Sequence, residues 1–379
     1  MRASFFYNTF IFIFLLTATH HLFAQNTVLS KNAHVSVITC GTGNESYSLF
    51  GHTAIRVQDV DNNLDVVYNY GAFDFDTPNF VMQFIKGDLN YFIVVHRFSD
   101  FMNEYNYEKR SVYEQDLNIS LPLKQKLYDN LAKTLLSDER VYNYKFIDNN
   151  CTSKVVDIIN TTLGSKVIIK KADTDLTYRA ILFPYFDNHF YEKLGTSIIF
   201  GRKLDHDGSK IFLPFELQKS LKLINYNKQP LCPENKELLV FDKEIPSSWW
   251  NNCYTYLFIL GLVIFVNKKA IDFIYLFTVA LFGLFFVFLG FYSSHQELGY
   301  NYNILLFNPT LFILFYFYVT KNKKCIYKLA FFNIITLLLY FFLVVNKVHL
   351  LIITPLLITN LVVLTRLALR NKKRIPIII

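Results

Sequence analysis

From Tyr254 to the C-terminus the chain carries five apolar segments, at about 254–266, 271–292, 304–320, 326–345 and 349–366. A run of this kind leaves few folds open. In hydrocarbon every backbone N–H and C=O must find its partner within the protein, so the expectation is an all-α bundle of five spans. The first segment is short for a bilayer, and Trp249 and Trp250 just ahead of it suit an interfacial belt that extends it.

The loops between these segments differ in charge. Lys268 and Lys269, the lysines at 321–324, and a tail with Arg370, Lys372, Lys373 and Arg374 fall on one side, while the other carries only Glu297 and Lys347. Residues 254–379 hold 12 Lys+Arg against 2 Asp+Glu, so the formal charge of +8 for the whole chain leaves the rest close to neutral. The pI of about 9.0 therefore reports membrane flanks and gives no reason to expect nucleic acid as a partner. Positive-inside bias puts the tail, 371–379, in the cytoplasm, the bundle at 251–370, and everything before it outside. The N-terminus agrees independently: Arg2, an apolar run at 10–16 and Leu22-Phe23-Ala24 read as an export signal over residues 1–24, with a retained N-terminal anchor as the alternative.

Residues 25–250 are then an exported domain, large enough for one sizeable core. Val35-Ser36-Val37-Ile38-Thr39 reads as a strand, a turn follows at Gly41-Thr42-Gly43-Asn44, and residues 49–57 form a second strand that hairpins through 59–63 into 64–70. A helix is expected around 78–86, a strand at 89–98, and a helix at about 122–136 with Leu123, Leu127, Leu131 and Leu135 on one stripe. This is an α+β pattern with mostly antiparallel strands.

One short stretch of that domain carries the chemistry: Asp148-Asn149-Asn150-Cys151-Thr152. An aromatic-rich strand expected at 141–147 runs into a helix in which Val155, Ile158, Ile159 and Leu163 recur at helical spacing until Gly164 ends it. Asn149 or Asn150 caps it, which puts Cys151 at the positive end of a helix, where thiolate is favoured over thiol and free N–H groups are available to an oxyanion. The candidate base is His52, one imidazole in an otherwise apolar strand, and Asn69 on the returning strand is the candidate to orient it. Tyr70 and Asn150, their chain neighbours, are candidate substrate contacts. So are His295, Asn301 and Asn303 in the polar loop at 293–303, which lies on the domain's side of the membrane.

Five cysteines are present, and an exported domain could bridge Cys151 to Cys40 or Cys232, or Cys232 to Cys253. Asp205-His206-Asp207 reads as a solvent-facing turn and His96 as a core residue. No zinc spacing, phosphate-cradling glycine loop or serine elbow occurs, so neither a metal nor a soluble cofactor is expected.

The phrase from Cys40-Gly41-Thr42-Gly43 through Phe50-Gly51-His52-Thr53-Ala54-Ile55-Arg56-Val57, with Asn69-Tyr70-Gly71-Ala72-Phe73-Asp74-Phe75 and Asp148-Asn149-Asn150-Cys151, resembles the periplasmic domain of the Bacteroidota lipoprotein N-acyltransferase family. The C-terminal spans, with an external loop that ends in Asn308-Pro309, are similar to that family's membrane region, and Lys154 departs from it where an arginine would be expected nearby. The order of histidine before cysteine is similar to that of circularly permuted papain-like enzymes, including the lecithin:retinol acyltransferase group. This resemblance implies a permuted papain-like fold, with His52 as base and Cys151 as nucleophile. It implies an enzyme of the bacterial inner membrane that moves an acyl chain from a phospholipid, through a Cys151 thioester, to the N-terminal amine of diacylated lipoproteins. A membrane-tethered cysteine peptidase or amidase acting on cell-wall peptides would share the site, and a non-catalytic envelope binding module would not need it.

Overall fold

The computed structural model describes residues 27–243 and 245–372. The expected export signal at 1–24 lies outside the described residues, as do Lys373, Arg374 and the rest of the tail. In chain order the first part contains β1 (His34–Cys40), β2 (His52–Asp59), β3 (Leu64–Ala72), α1 (Phe80–Lys86), β4 (Asn90–Arg97), α2 (Phe98–Tyr107), β5 (Val112–Asp116), α3 (Leu121–Leu136), β6 (Val141–Asn143) and α4 (Cys151–Leu163). After these come α5 (Tyr178–Leu182), α6 (Phe190–Ile199), α7 (Pro214–Leu221), a hairpin of β7 (Asn225–Tyr226) and β8 (Gln229–Pro230), and β9 (Lys236–Leu239).

Seven strands form one sheet in the order β6-β4-β3-β2-β1-β5-β9, antiparallel at every pairing. The α+β class with an antiparallel sheet is therefore as the sequence leads one to expect. The central strands β1 and β2 are buried at nearly every position rather than at every second one because both faces are covered. On one face Val35, Val37, Ile55 and Val57 pack against Leu127, Leu131 and Val155 of α3 and α4. On the other, Ile38, Cys40 and Ala54 pack against Phe101 and Tyr105 of α2. Each such buried leucine stabilises the fold by about 1.5–3 kcal/mol.

Beside the buried Glu114, Arg56 is a charged residue sunk into this second face. Its Nε and Nη2 each donate to Asp65 at 2.8 Å, Nη1 donates to Glu114 at 3.0 Å, and the guanidinium lies 3.4 Å from the centre of the Phe98 ring. A lysine offers a point charge instead of a fork, so Arg56→Lys should cost about 1.5–3 kcal/mol. The check is the thermal unfolding midpoint of the purified protein, and an unchanged midpoint would show that the fork contributes nothing.

The expected strand at 141–147 is shorter than its composition suggests, and only Val141–Asn143 pairs with β4. Beyond it the chain folds back on itself through Lys145 and Asn149, held by Lys203 and Lys210, both 2.5 Å from Asp148. Asp205, read as part of a solvent-facing turn, instead sits 2.7 Å from Arg179 and 2.5 Å from Lys347.

The second part is helical: α8 (Cys253–Val266), α9 (Lys269–Tyr292), α10 (Leu311–Val319), α11 (Lys323–Val344) and α12 (Leu350–Asn371). Three of these, α9, α11 and α12, are long and apolar enough to cross a membrane. The third expected span, 304–320, is broken. It consists of a short turn at Tyr302–Leu305, Pro309, and then the nine residues of α10. Polar side chains from neighbouring helices answer the interruption, since Asn360 Nδ2 donates to the Leu306 carbonyl at 3.1 Å and Asn308 Nδ2 to Thr336 Oγ1 at 3.4 Å. Arg370 binds both Asp272 and Asn267 at 2.6 Å, and the rings of Phe273 and Tyr318 lie 5.5 Å apart. The basic loops thus gather at one end of the bundle.

The other end meets the sheet-bearing part. Asn301 Nδ2 donates to the carbonyls of Ile198 and Ile199 at 2.9 Å each, and the Gly201 N–H donates to the Glu297 carbonyl at 2.7 Å. Tyr340 donates to Asn303 Oδ1 at 2.7 Å from within α11.

Candidate active site

The helix that opens at Cys151 starts where it does because of Asn150. The Asn150 side chain accepts from the Ser153 N–H at 3.0 Å while Ser153 Oγ accepts from the Asn150 N–H at 2.8 Å, a reciprocal cap. The amide of the same asparagine donates to the carbonyls of Phe146 and Phe212 at 2.8 and 2.9 Å, fixing the helix end against two loops. One residue on, Thr152 Oγ1 meets Thr53 Oγ1 at 3.0 Å and ties the first turn of α4 to the start of β2. That tie sets the thiol beside the imidazole, because His52 is the first residue of β2.

A glycine completes the arrangement. The pairing of β3 with β4 slips between Tyr70 and Ala72, and Gly71 at that bulge has φ +113°. A Cβ there would lie 3.4 Å from His52 Cε1 and 3.7 Å from Cys151 Cβ, so the bare backbone is the floor on which the two side chains meet. His52 Nε2 is hydrogen-bonded to Asn69 Oδ1, which leaves the other ring nitrogen for the thiol proton.

Burial alone would push the Cys151 thiol up. The His52 charge and hydrogen bond outweigh it, with help from the Thr53 N–H and the Thr152 hydroxyl, and hold the thiol below its ordinary value. For His52 burial works against the imidazolium, but the facing sulfur and the Asn69 carboxamide raise it above the ordinary imidazole value. Thiolate and imidazolium therefore favour each other. Alkylation of Cys151 by iodoacetamide should reach half its plateau below pH 9.0, the ordinary thiol value. In His52→Ala burial is left unopposed by the imidazolium, and the midpoint should move upward. Superimposable pH profiles, read by mass spectrometry of the Cys151 peptide, would contradict the pairing.

The pair opens into a cavity of about 650 Å³. Part of its wall is aromatic, with Phe73, Phe75, Phe80, Phe84, Tyr91 and Phe146, and another part carries the polar side chains of Ser46, Tyr47, Glu104, Glu108 and Arg110. Arg110 is buried and bonded, donating to the Gly41 carbonyl at 2.9 Å and to Glu108 at 2.7 Å.

Of the residues picked out from sequence, Cys151, His52, Asn69 and Asn150 line this cavity. Tyr70 does not; it is buried on the α3–α4 face of the sheet with its ring 6.3 Å from that of Tyr142. His295, Asn301 and Asn303 also stand outside the cavity lining. Their side chains hold the 293–303 loop, His295 through a 2.9 Å hydrogen bond to the Phe84 carbonyl. All five cysteines are free, so none of the bridges considered is present, and Cys40 is buried with its thiol pushed up to about 12. Sequence reading passed over Gly71, Thr53, Thr152 and Arg110 as parts of the site. For Gly71 a signal existed, a glycine inside an otherwise β-prone run.

Two family models match the chain: the Lnb N-terminal periplasmic domain over residues 22–182 and the Lnb transmembrane domain over residues 250–374. No curated protein and no solved structure matches it.

Proposed function

Since the chain belongs to the Lnb family, with a periplasmic domain joined to membrane helices, we propose that it is a cysteine acyltransferase of the bacterial inner membrane. It takes an acyl chain from a phospholipid and delivers it to the N-terminal amine of diacylated lipoproteins. The observation that carries this reading is that Cys151 and His52 meet over Gly71, with His52 hydrogen-bonded to Asn69, and that all three line one cavity rich in aromatic side chains. The sheet-bearing part faces the periplasm, and the basic loops and tail face the cytoplasm.

In the first half-reaction His52 holds the proton of Cys151, and the thiolate attacks the ester carbonyl of the phospholipid. Ser153 and Lys154 give their N–H groups to Asn150, which leaves those of Cys151 and Thr152 to face the oxyanion. Collapse breaks the C–O bond, the imidazolium returns its proton to the departing alkoxide, and a lysophospholipid leaves behind a thioester. In the second half the lipoprotein's amine attacks that thioester, His52 takes the amine proton, and the C–S bond breaks to give the amide and the thiolate. Asn69 keeps the imidazole in one orientation through both halves.

A peptidase or amidase would use the same three residues, but the aromatic wall and three helices of bilayer length favour a lipid substrate. The test is to incubate the purified full-length protein with phospholipid vesicles. The expected product is a hydroxylamine-labile acyl group on Cys151, identified by peptide mass spectrometry. No thioester from any phospholipid would defeat the proposal.

A further inference from the structure

Helix α1 (Phe80–Lys86) is out of place on a water-exposed surface. Five of its seven residues are apolar, Phe80, Val81, Met82, Phe84 and Ile85, yet none is buried. Val81 is 64% exposed, Met82 43% and Phe84 40%, and Phe75 beside it is 69% exposed. A short helix that is apolar around most of its girth needs an apolar surrounding, and the other described residues do not supply one.

Two further contacts say what does. The carbonyl end of α1 is fastened to the residues that directly follow α9, one of the helices long enough to cross a membrane. Ser293 Oγ donates to the Ile85 carbonyl at 2.5 Å, the Ser294 N–H to the Lys86 carbonyl at 2.9 Å, and His295 Nε2 is 2.9 Å from the Phe84 carbonyl. The helix is therefore held at the level where that span ends. Lys86, the basic residue in its last turn, is exposed and paired with Asp88, as suits a side chain reaching from a bilayer toward water. At the same time Phe80 and Phe84 form part of the aromatic wall of the cavity that holds Cys151.

We propose that α1 lies in the periplasmic leaflet of the bilayer and forms the lip over which an acyl chain slides from the membrane into the cavity. The occupant of its exposed face is lipid, and the continuity of the helix with the end of α9 is what selects lipid over a protein partner. The part of this that concerns the acyl chain rests on the acyl-transfer reading; the membrane contact does not.

Two measurements on the full-length protein separate the two. In vesicles of phosphatidylethanolamine and phosphatidylglycerol, Met82→Trp should add a tryptophan emission that acyl-brominated phospholipid quenches, over and above the signal of Trp249 and Trp250 in the parent. An added emission that bromine leaves untouched overturns the membrane contact, and with it the lip. In Val81→Asp/Met82→Asp, acyl loading of Cys151 from vesicle phospholipid should fall at least ~10-fold, while loading from a water-soluble short-chain thioester-forming ester stays the same. Equal loading from vesicles by parent and variant overturns the lip. If the parent loads from neither donor, acyl transfer is the reading that fails, and the bromine quenching still decides whether α1 sits in lipid.

Discussion

Cells whose only copy of this protein carries Cys151→Ala should accumulate lipoproteins with a free N-terminal amine, with acyl transfer reduced by a factor of about 10³ or more. The size of the effect follows from the position of the sulfur. In the proposed reaction it is the atom that carries the acyl group from donor to acceptor, and none of the other four cysteines lines its cavity. Cys40 is buried with its thiol held high, and Cys232 is buried on the α3–α4 side of the sheet. The fold should survive the change, because the cap on α4 is built from Asn150 and Ser153 and the tie to β2 from Thr152 and Thr53. Protein level and melting point should therefore match the parent while the chemistry is lost. Mass spectrometry of lipoprotein N-termini reads the outcome, and full N-acylation in cells without a second transferase would end the case for Cys151. His52→Ala should act in the same direction, since the alkylation profile of the thiol depends on it.

What could be read from the chain before its structure is what local chemistry encodes. Asn149 or Asn150 at one end and Gly164 at the other mark the ends of α4 by capping preference and backbone freedom alone, the structure choosing Asn150, and the apolar period between them fixes the buried face. The hairpin from β2 to β3 was visible in its turn and alternation, so His52 and Asn69 could be placed on neighbouring strands. The meeting of Cys151 with His52 is different in kind. It depends on α4 lying across the sheet at the start of β2, a contact between residues 99 positions apart that the Thr53–Thr152 bond holds in place.

Other features were hidden because the sequence pattern is the same either way. An apolar run such as 304–320 reads alike whether it forms one helix or a turn and a short helix inside a bundle. Only Asn308-Pro309 and the asparagine on α12 reveal which. The aromatic stretch after Asn143 has strand composition, but the two lysines on Asp148 pull it into a loop. The polar 293–303 loop was legible as external, yet its histidine and asparagines turn out to be fastenings to α1 and α6 rather than cavity residues.

Gly71→Val should lower acyl loading of Cys151 by about 100-fold while leaving the sheet assembled. Two effects combine. At φ +113° a side-chain-bearing residue costs roughly 1–3 kcal/mol in backbone strain, which the bulge can relieve by rotating back toward extended geometry. That rotation moves Asn69, two residues earlier on β3, and with it the imidazole that Asn69 orients. If instead the backbone holds, the Cβ alone arrives at contact distance from His52 and Cys151, and the added methyl groups must lie between them or displace one. Gly71→Ala separates the two, because its Cβ at 3.4 and 3.7 Å fits without a clash and leaves only the strain. The alanine variant should therefore lose stability more than thiol reactivity, and the valine variant should lose both. Iodoacetamide rates at Cys151, read beside thermal unfolding, distinguish these outcomes. A valine variant that alkylates and melts like the parent would mean that thiol and imidazole do not share the space above this glycine.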